Sequence, residues 1–303
     1  MTLARLGAIT VMATIALAIV VRAQEPAPLF SVFRSTAELV LVPVWVKQGE
    51  RPVAGLTAAD FTLSDNGVSQ EISSTAADGQ PVDVTLVLDT SGSLQGESLE
   101  TIKSGVQQIA RALGPEDRVR LLAFANAIVD VFGTRPGGTV LPVERIPSGG
   151  QSAVYDALAA ALVSTPRNER PQLIFGVSDG LDNASFLDAK QVVIVAGASS
   201  ASMYVALMRH LRAQAVRSVW AQPSDDPNTG RLRDAAERTG GLLIENPSGA
   251  ALPQLFATVL GDFRMSYLLG YTPTGVTSGG WHRIQVRTRD RRYSVRAREG
   301  YQR

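Results

Sequence analysis

The run Val82-Asp83-Val84-Thr85-Leu86-Val87-Leu88-Asp89-Thr90-Ser91-Gly92-Ser93 decides how the rest of the chain is read. Val84 to Leu88 is apolar and β-branched, the pattern of a strand buried on both faces. It stops at Asp89, and three of the next four residues, Thr90, Ser91 and Ser93, carry hydroxyls. A carboxylate and hydroxyls at the end of a central strand are hard oxygen donors, which suit Mg²⁺ or Ca²⁺. Ser91 and Ser93 alternate, so a turn can aim both at one point while Gly92 lets the backbone come close. Asp and Ser also favour ordinary turns, and the run alone leaves both readings open.

Two later stretches have the composition to complete such a site. Ser148-Gly149-Gly150-Gln151-Ser152-Ala153-Val154-Tyr155-Asp156-Ala157-Leu158 is a Gly-rich loop whose Ser152 opens an Ala/Leu-rich helix, where it could equally serve as an N-cap. Leu173-Ile174-Phe175-Gly176-Val177-Ser178-Asp179-Gly180 is a second buried-strand run ending in Asp-Gly.

Together these stretches resemble the von Willebrand factor A (VWA) domain and its metal-ion-dependent adhesion site, Asp-x-Ser-x-Ser, then a Thr, then an Asp. The resemblance implies a Rossmann-like α/β fold and a Mg²⁺ ion (or Ca²⁺ or Mn²⁺) held by Asp89, Ser91, Ser93, Ser152 and Asp179. It also implies a protein partner that offers an Asp or Glu carboxylate. The departure is Ser152 where the family usually has Thr. The hydroxyl survives, but the methyl that stiffens the rotamer is lost.

From Val82 onward strands alternate with helices, which argues for βα units and a central, mostly parallel sheet flanked by helices. Ser98 to Leu113 carries Leu99, Ile102, Val106 and Ile109 at helical spacing and ends at Gly114-Pro115. Arg118 to Phe124 and Ala127 to Phe132 read as a strand pair around Asn126. Helices are expected at Ala153 to Val163, Leu187 to Ala201, Arg231 to Thr239 and Ala251 to about Met265. Strands are expected at Met203 to Met208 and Leu242 to Ile244, and Pro223 to Gly230 as a polar loop.

The flanks are β. Glu38 to Lys47 is a strand whose Pro43 places it at an edge or bulge. Thr57 to Asp60 is one capped turn, and Asp65-Asn66-Gly67 signals a hairpin. Tyr267 to Tyr271 and an alternating pair over Ile284 to Arg298 close the chain. This last pair predicts a hairpin with one apolar and one arginine face, a candidate contact with an anionic envelope surface. The expected organisation is residues 1–23 as a signal peptide, 34–80 as an N-terminal β segment, 82–265 as the VWA domain and 266–303 as a C-terminal β segment. The two β segments pack into an accessory domain, since about 45 residues alone bury too little core.

Three stretches are also similar to the bacterial VWFA-related domain family common in acidobacteria. They are Glu38-Leu39-Val40-Leu41-Val42-Pro43-Val44 with Gly55-Leu56-Thr57 and Asp60-Phe61, the metal-site motifs, and Tyr267-Leu268-Leu269-Gly270-Tyr271-Thr272-Pro273 with Val295-Arg296-Ala297-Arg298-Glu299-Gly300-Tyr301. That resemblance implies an exported location and says little of function.

Arg5 followed by an uncharged run from Leu6 to Val21, with Val21-Arg22-Ala23 before Gln24, predicts a cleaved signal peptide or an uncleaved membrane anchor. Either makes the protein extracytoplasmic, periplasmic or secreted. The chain has no cysteine, which excludes disulfides and thiolate metal sites. Its net charge of +1 gives no field favouring nucleic acid. An enzyme is disfavoured. A strand ending in Asp is similar to haloacid-dehalogenase-type phosphatases, but those need a second carboxylate two residues on, and position 91 is Ser. His210 and His282 read as lying in a polar strand exit and a surface hairpin, without a Gly-x-Ser-x-Gly elbow or a P-loop. The sequence reading is an exported VWA protein that binds a partner through a divalent ion. The alternative is an envelope scaffold whose metal is structural, or a membrane-tethered form of either.

Overall fold

The computed structural model describes residues 39–76, 79–166, 170–208, 227–245 and 252–303. The expected signal segment and cleavage point, His210, and residues 223–226 of the expected polar loop lie outside them.

Strands in chain order are β1 (Val40–Gln48), β2 (Arg51–Pro52), β3 (Phe61–Asp65), β4 (Val68–Gln70), β5 (Ile72–Ala76), β6 (Asp83–Asp89), β7 (Arg118–Phe124), β8 (Ile128–Asp130) and β9 (Arg135–Pro136). They continue with β10 (Gln172–Ser178), β11 (Ser202–Leu207), β12 (Leu243–Glu245), β13 (Tyr267–Tyr271), β14 (Trp281–Thr288), β15 (Ser294–Ala297) and β16 (Gly300–Gln302). The helices are α1 (Glu97–Ala112), α2 (Val154–Val163), α3 (Ala189–Ala198), α4 (Pro227–Arg238) and α5 (Leu252–Arg264).

The central sheet has the order β12-β11-β10-β6-β7-β8, with β9 on β7. β6, β7, β10, β11 and β12 are parallel, and β8 and β9 run antiparallel to β7. Every residue of β10 is buried, as continuous apolar strands covered on both faces require. Alternation sorts the side chains: Leu86, Leu88, Phe175 and Val177 pack with α1 and α5, while Val87 and Ile174 pack with α2, α3 and α4. The helices bury the expected stripes, Leu99, Ile102, Val106 and Ile109 on α1 among them. Gly176 lets α2 pack close on β10, since a Cβ there would stand 3.0 Å from the Leu158 side chain. The molecule therefore has the α/β architecture expected, with helices on both faces of a mostly parallel sheet.

Two boundaries differ from expectation. α3 is shorter than Leu187 to Ala201: Asp188 sets its start with a capping box, its carboxylate accepting from Gln191 N and its own N–H donating to the Gln191 side chain, and the backbone turns extended at Ser199. α4 starts at Pro227, not Arg231. Proline lacks an N–H and has its φ fixed near the helical value, so it opens helices well, and Gly230 is carried along.

The flanking strands form two further sheets, β15-β1-β13-β5 with β2 on β1, and β16-β14-β3-β4. Val42, Val44, Leu63, Leu269 and Ile284 from both sheets share one core, so strands from the two ends of the chain form one β-rich accessory unit. The hairpin at Asn66 (φ 47) and Gly67 (φ 82) uses two left-handed residues, as a tight antiparallel turn demands. β1 is not an edge strand. It lies between β13 and β15, and tolerates Pro43 because β15 pairs only with Val44 to Lys47.

The expected basic hairpin does not exist. β14 pairs with β3 and β16, whereas β15 pairs with β1 in the other sheet. The chain crosses between sheets at 289–293, where Arg289 N donates to Asp60 O and Arg292 folds back on Asp290. Arg283, Arg287 and Arg289 remain exposed. Arg296 instead stacks over Trp45 at 4.0 Å and pairs with Asp262 of α5. Arg298 is buried, donating to the Gly197 and Ser199 carbonyls at the C-terminal end of α3, where the helix dipole favours a cation. Burial pulls its pKa down to about 10. These two arginines bolt the β unit to the helices.

Candidate metal centre

Register delivers the first residues. Val177 lies across from Leu88 in β10 and β6, which sets Asp89 alongside Ser178 and puts Asp179 just beyond, at the C-terminal edge of the sheet. That edge is where open α/β sheets place ligands. The Gly-rich loop closes over it: Gly149 N donates to Thr90 O at 2.9 Å, and Gly92 N donates to Gly150 O at 2.9 Å. Both Gly149 (φ +94) and Gly150 (φ +98) are left-handed, and a Cβ on Gly150 would meet the Asn126 side chain at 2.8 Å. Glycine lets this loop lie close against its neighbours and carry Ser152 inward.

Asp89 is fully buried. Its Oδ1 accepts from Ser91 N at 3.0 Å, and its Oδ2 accepts from Ser152 Oγ at 3.0 Å and Ser178 Oγ at 2.7 Å. Ser91 Oγ and Ser93 Oγ are 3.1 Å apart. Asp179 is fully buried, and its Oδ1 accepts from Leu181 N at 2.9 Å. Burial holds the Asp89 carboxyl above the usual range, and the Asp179 charge adds to the rise, while hydrogen bonds from Ser91 and Ser178 pull it back.

Ser152 does not cap its helix. Ala153 is the N-cap, without a side-chain bond, and the Ser152 hydroxyl faces Asp89. The first N–H groups of α2 are met from elsewhere: Tyr155 N and Asp156 N donate to Ser185 Oγ. Ser152 N donates to Asn183 Oδ1 at 2.7 Å, and Asn183 N and Ala184 N donate to Ser152 O. The loop after β10 thus fixes the orientation of Ser152.

The structure therefore gathers the Ser91–Ser93 turn, Ser152, Asp89 and Asp179 at one sheet edge, with Ser93 half-exposed and the others buried. Sequence reasoning missed Ser178, Asn126 and Asn183. Ser178 was legible, since it immediately precedes Asp179 at a strand end. Asn126, which accepts Gln151 N, and Asn183 act only through a tertiary contact.

The donor chemistry suits a hard cation. Two buried carboxylates acting on each other are costly, and hydroxyl oxygens turned toward them are neutral ligands of the kind Mg²⁺, Ca²⁺ and Mn²⁺ accept. Among the described residues no cluster of three or more His, Cys, Asp or Glu offers an alternative centre. His282, expected at the surface, is fully buried in the β unit with Nδ1 2.8 Å from Asp65. Its strand faces a core shared by two sheets instead of forming a free hairpin.

Residues 84–181 match the family model described as von Willebrand factor type A domain. An uncharacterised protein of Synechocystis sp. is 30% identical over 106 residues, 33% of this chain, and the chain spans 25% of that relative's length. Similar solved structures include the ArnB paralog VWA2 of Sulfolobus acidocaldarius, at 12% identity and TM-score 0.47, covering 86% of this chain and 75% of that one. A von Willebrand factor type A protein of Catenulispora acidiphila is 14% identical with TM-score 0.45, covering 85% and 72%. Manganese-loaded TRAP protein of Plasmodium vivax is 11% identical with TM-score 0.41, covering 78% and 97%.

Proposed function

We propose, from the premise that this chain carries a von Willebrand factor type A domain over residues 84–181, that it is an exported protein-binding module rather than an enzyme. Asp89, Ser91, Ser93, Ser152 and Asp179 would hold a divalent ion. When bound, the ion supplies a coordination position for a carboxylate from an Asp or Glu of a partner protein.

The observation that carries this reading is the convergence of two fully buried carboxylates and three serines at one sheet edge. Each part has a task. Asp89 and Asp179 supply negative charge, and the serines supply neutral oxygens. Asn183 and the Gly149-Gly150 loop hold Ser152 in place, and Ser178 orients Asp89. Export rests on the N-terminal sequence. Among the described residues no helix is long and apolar enough to cross a membrane.

Calorimetric titration with Mg²⁺ and Mn²⁺ tests the reading. The wild type should take up the ion and Asp89→Ala should not, with unchanged circular dichroism. Equal uptake by both proteins would refute it. Unfolding of the wild type by EDTA would instead mark the ion as structural, the scaffold alternative.

A further inference from the structure

The outward face of the sheet β16-β14-β3-β4 carries a row of exposed arginines. Single exposed arginines are ordinary, and the register is what sets these apart. Ile284 and Val286 of β14 turn into the core, so alternation turns Arg283, Gln285 and Arg287 to solvent. Arg287 stands across from Thr62 of β3, Gln285 across from Ser64, and Ser64 across from Ser69 of β4. Opposed residues of antiparallel strands share a face, so the guanidiniums stand among hydroxyl and amide side chains of three strands. Arg289 ends the row, its Nε donating to Ala59 O. From Arg283 to Arg289 the row runs roughly 20 Å, at about 3.4 Å per residue.

Arg283 and Arg287 make no ion pair with any described residue. Asp60 feels the charge of Arg289, but its carboxylate accepts from Thr57 N and Thr57 Oγ1, and Asp290 pairs with Arg292. Glu71 lies just past β4, two strands and roughly 10 Å from the arginine row. The complement of a line of positive charge longer than one small anion is an anionic chain.

The face itself discriminates among such chains. A lipid surface is held best where basic and apolar side chains act together. Among the described residues Val68 is the exposed large apolar side chain of this sheet, and it stands across from Asp65, on the inward face. Single-stranded nucleic acid is held by aromatic rings on which its bases stack. Trp281, the aromatic of this row, is covered by Arg238 at 4.6 Å and packs against Gly197. Hydroxyl and amide side chains beside the charges match a polymer whose units carry hydroxyls beside their acid groups. We infer that this face binds an acidic polysaccharide, a linear sugar chain bearing carboxylates. Arg283, Arg287 and Arg289 pair with its carboxylates, and Thr62, Ser64, Ser69 and Gln285 bond its hydroxyls. The inference stands apart from the metal centre.

The test measures binding of the full chain to fluorescent alginate by polarisation, in EDTA so that no divalent ion takes part, with dextran as the neutral chain. Arg283→Gln/Arg287→Gln removes two charges and no side-chain hydrogen bond or ion pair, so circular dichroism should be unchanged. Arg111→Gln/Arg145→Gln removes two exposed charges far from this sheet in sequence and is the control. The wild type should bind alginate and not dextran. Its binding should weaken as NaCl is raised, because exposed charges are screened beyond about 10 Å at 0.1 M salt. The sheet variant should bind about fivefold more weakly, two exposed ion pairs near the middle of their usual range, and the control should match the wild type. No alginate binding by the wild type, equal binding to dextran, an unchanged sheet variant or an equal loss in the control overturns the inference. Tighter binding of single-stranded DNA or phosphatidylglycerol vesicles through the same two arginines also overturns it, and assigns the face to nucleic acid or lipid. None of these outcomes bears on the metal centre.

Discussion

Replacing Asp65 by alanine should destabilise the β unit by about 3 kcal/mol, because it takes the acceptor from several buried hydrogen-bond donors at once. Asp65 is fully buried and accepts three hydrogen bonds: from His282 Nδ1 at 2.8 Å, Tyr271 OH at 2.8 Å and Tyr301 OH at 3.0 Å. Burial raises the pKa of both phenols, that of Tyr301 to about 12, so at neutral pH each is an O–H donor. Alanine leaves three donors without their acceptor. A buried orphan costs roughly 1–3 kcal/mol. The loss is less than threefold that, because Tyr271 OH and Tyr301 OH are already 3.5 Å apart and Tyr301 OH is 3.3 Å from His282 Nδ1, so some re-pair. Asparagine keeps the shape and one acceptor, so Asp65→Asn should cost about half as much, and Tyr301→Phe about 1 kcal/mol. Urea unfolding followed by far-ultraviolet circular dichroism measures all three. A cost below about 1 kcal/mol for Asp65→Ala, or the reverse order, would refute the claim that this acid is the hub joining β3, β13, β14 and β16.

Other outcomes concern the metal centre. Ser152→Thr should bind Mn²⁺ at least as well as the wild type, because the hydroxyl stays and its rotamer stiffens. Ser152→Ala should weaken binding by less than Asp89→Ala, since it deletes a neutral ligand and leaves both charges, and calorimetry ranks the three. In EDTA, the raised Asp89 pKa means the folded state binds more protons than the unfolded chain above the reference value of 3.8. Stability from this group therefore falls as pH rises from that value through the folded pKa. Urea midpoints of the wild type should show that decline, and Asp89→Asn should flatten it. Identical slopes would mean Asp89 carries no such strain.

What was legible in the sequence, and what was not, follows from how far each signal reaches along the chain. β6 and β10 could be read because a strand buried on both faces must be apolar throughout, and each stops at a carboxylate. α1 could be read because one face repeats every turn. The errors share a different cause. Val295 and Ala297 alternate with Ser294, Arg296 and Arg298, as Ile284 and Val286 alternate with Arg283, Gln285 and Arg287, yet alternation records only which side of a strand is apolar, never which strand it pairs with. β1 offered Val44 to Lys47 as a free edge, and β15 took it. That choice moved Arg296 against Trp45 and buried Arg298 at the end of α3. It also placed Tyr301 on β16 beside His282 and Asp65. The buried acid was hidden for the same reason: Asp65 precedes Asn66-Gly67, where an Asp is ordinary turn chemistry, and its three partners come from residues 271, 282 and 301. Ser152 shows the intermediate case. A serine before a helix reads equally as a cap or as a ligand. The structure turns its hydroxyl to Asp89 because Ser185, 33 residues later in the sequence, already meets the helix N–H groups.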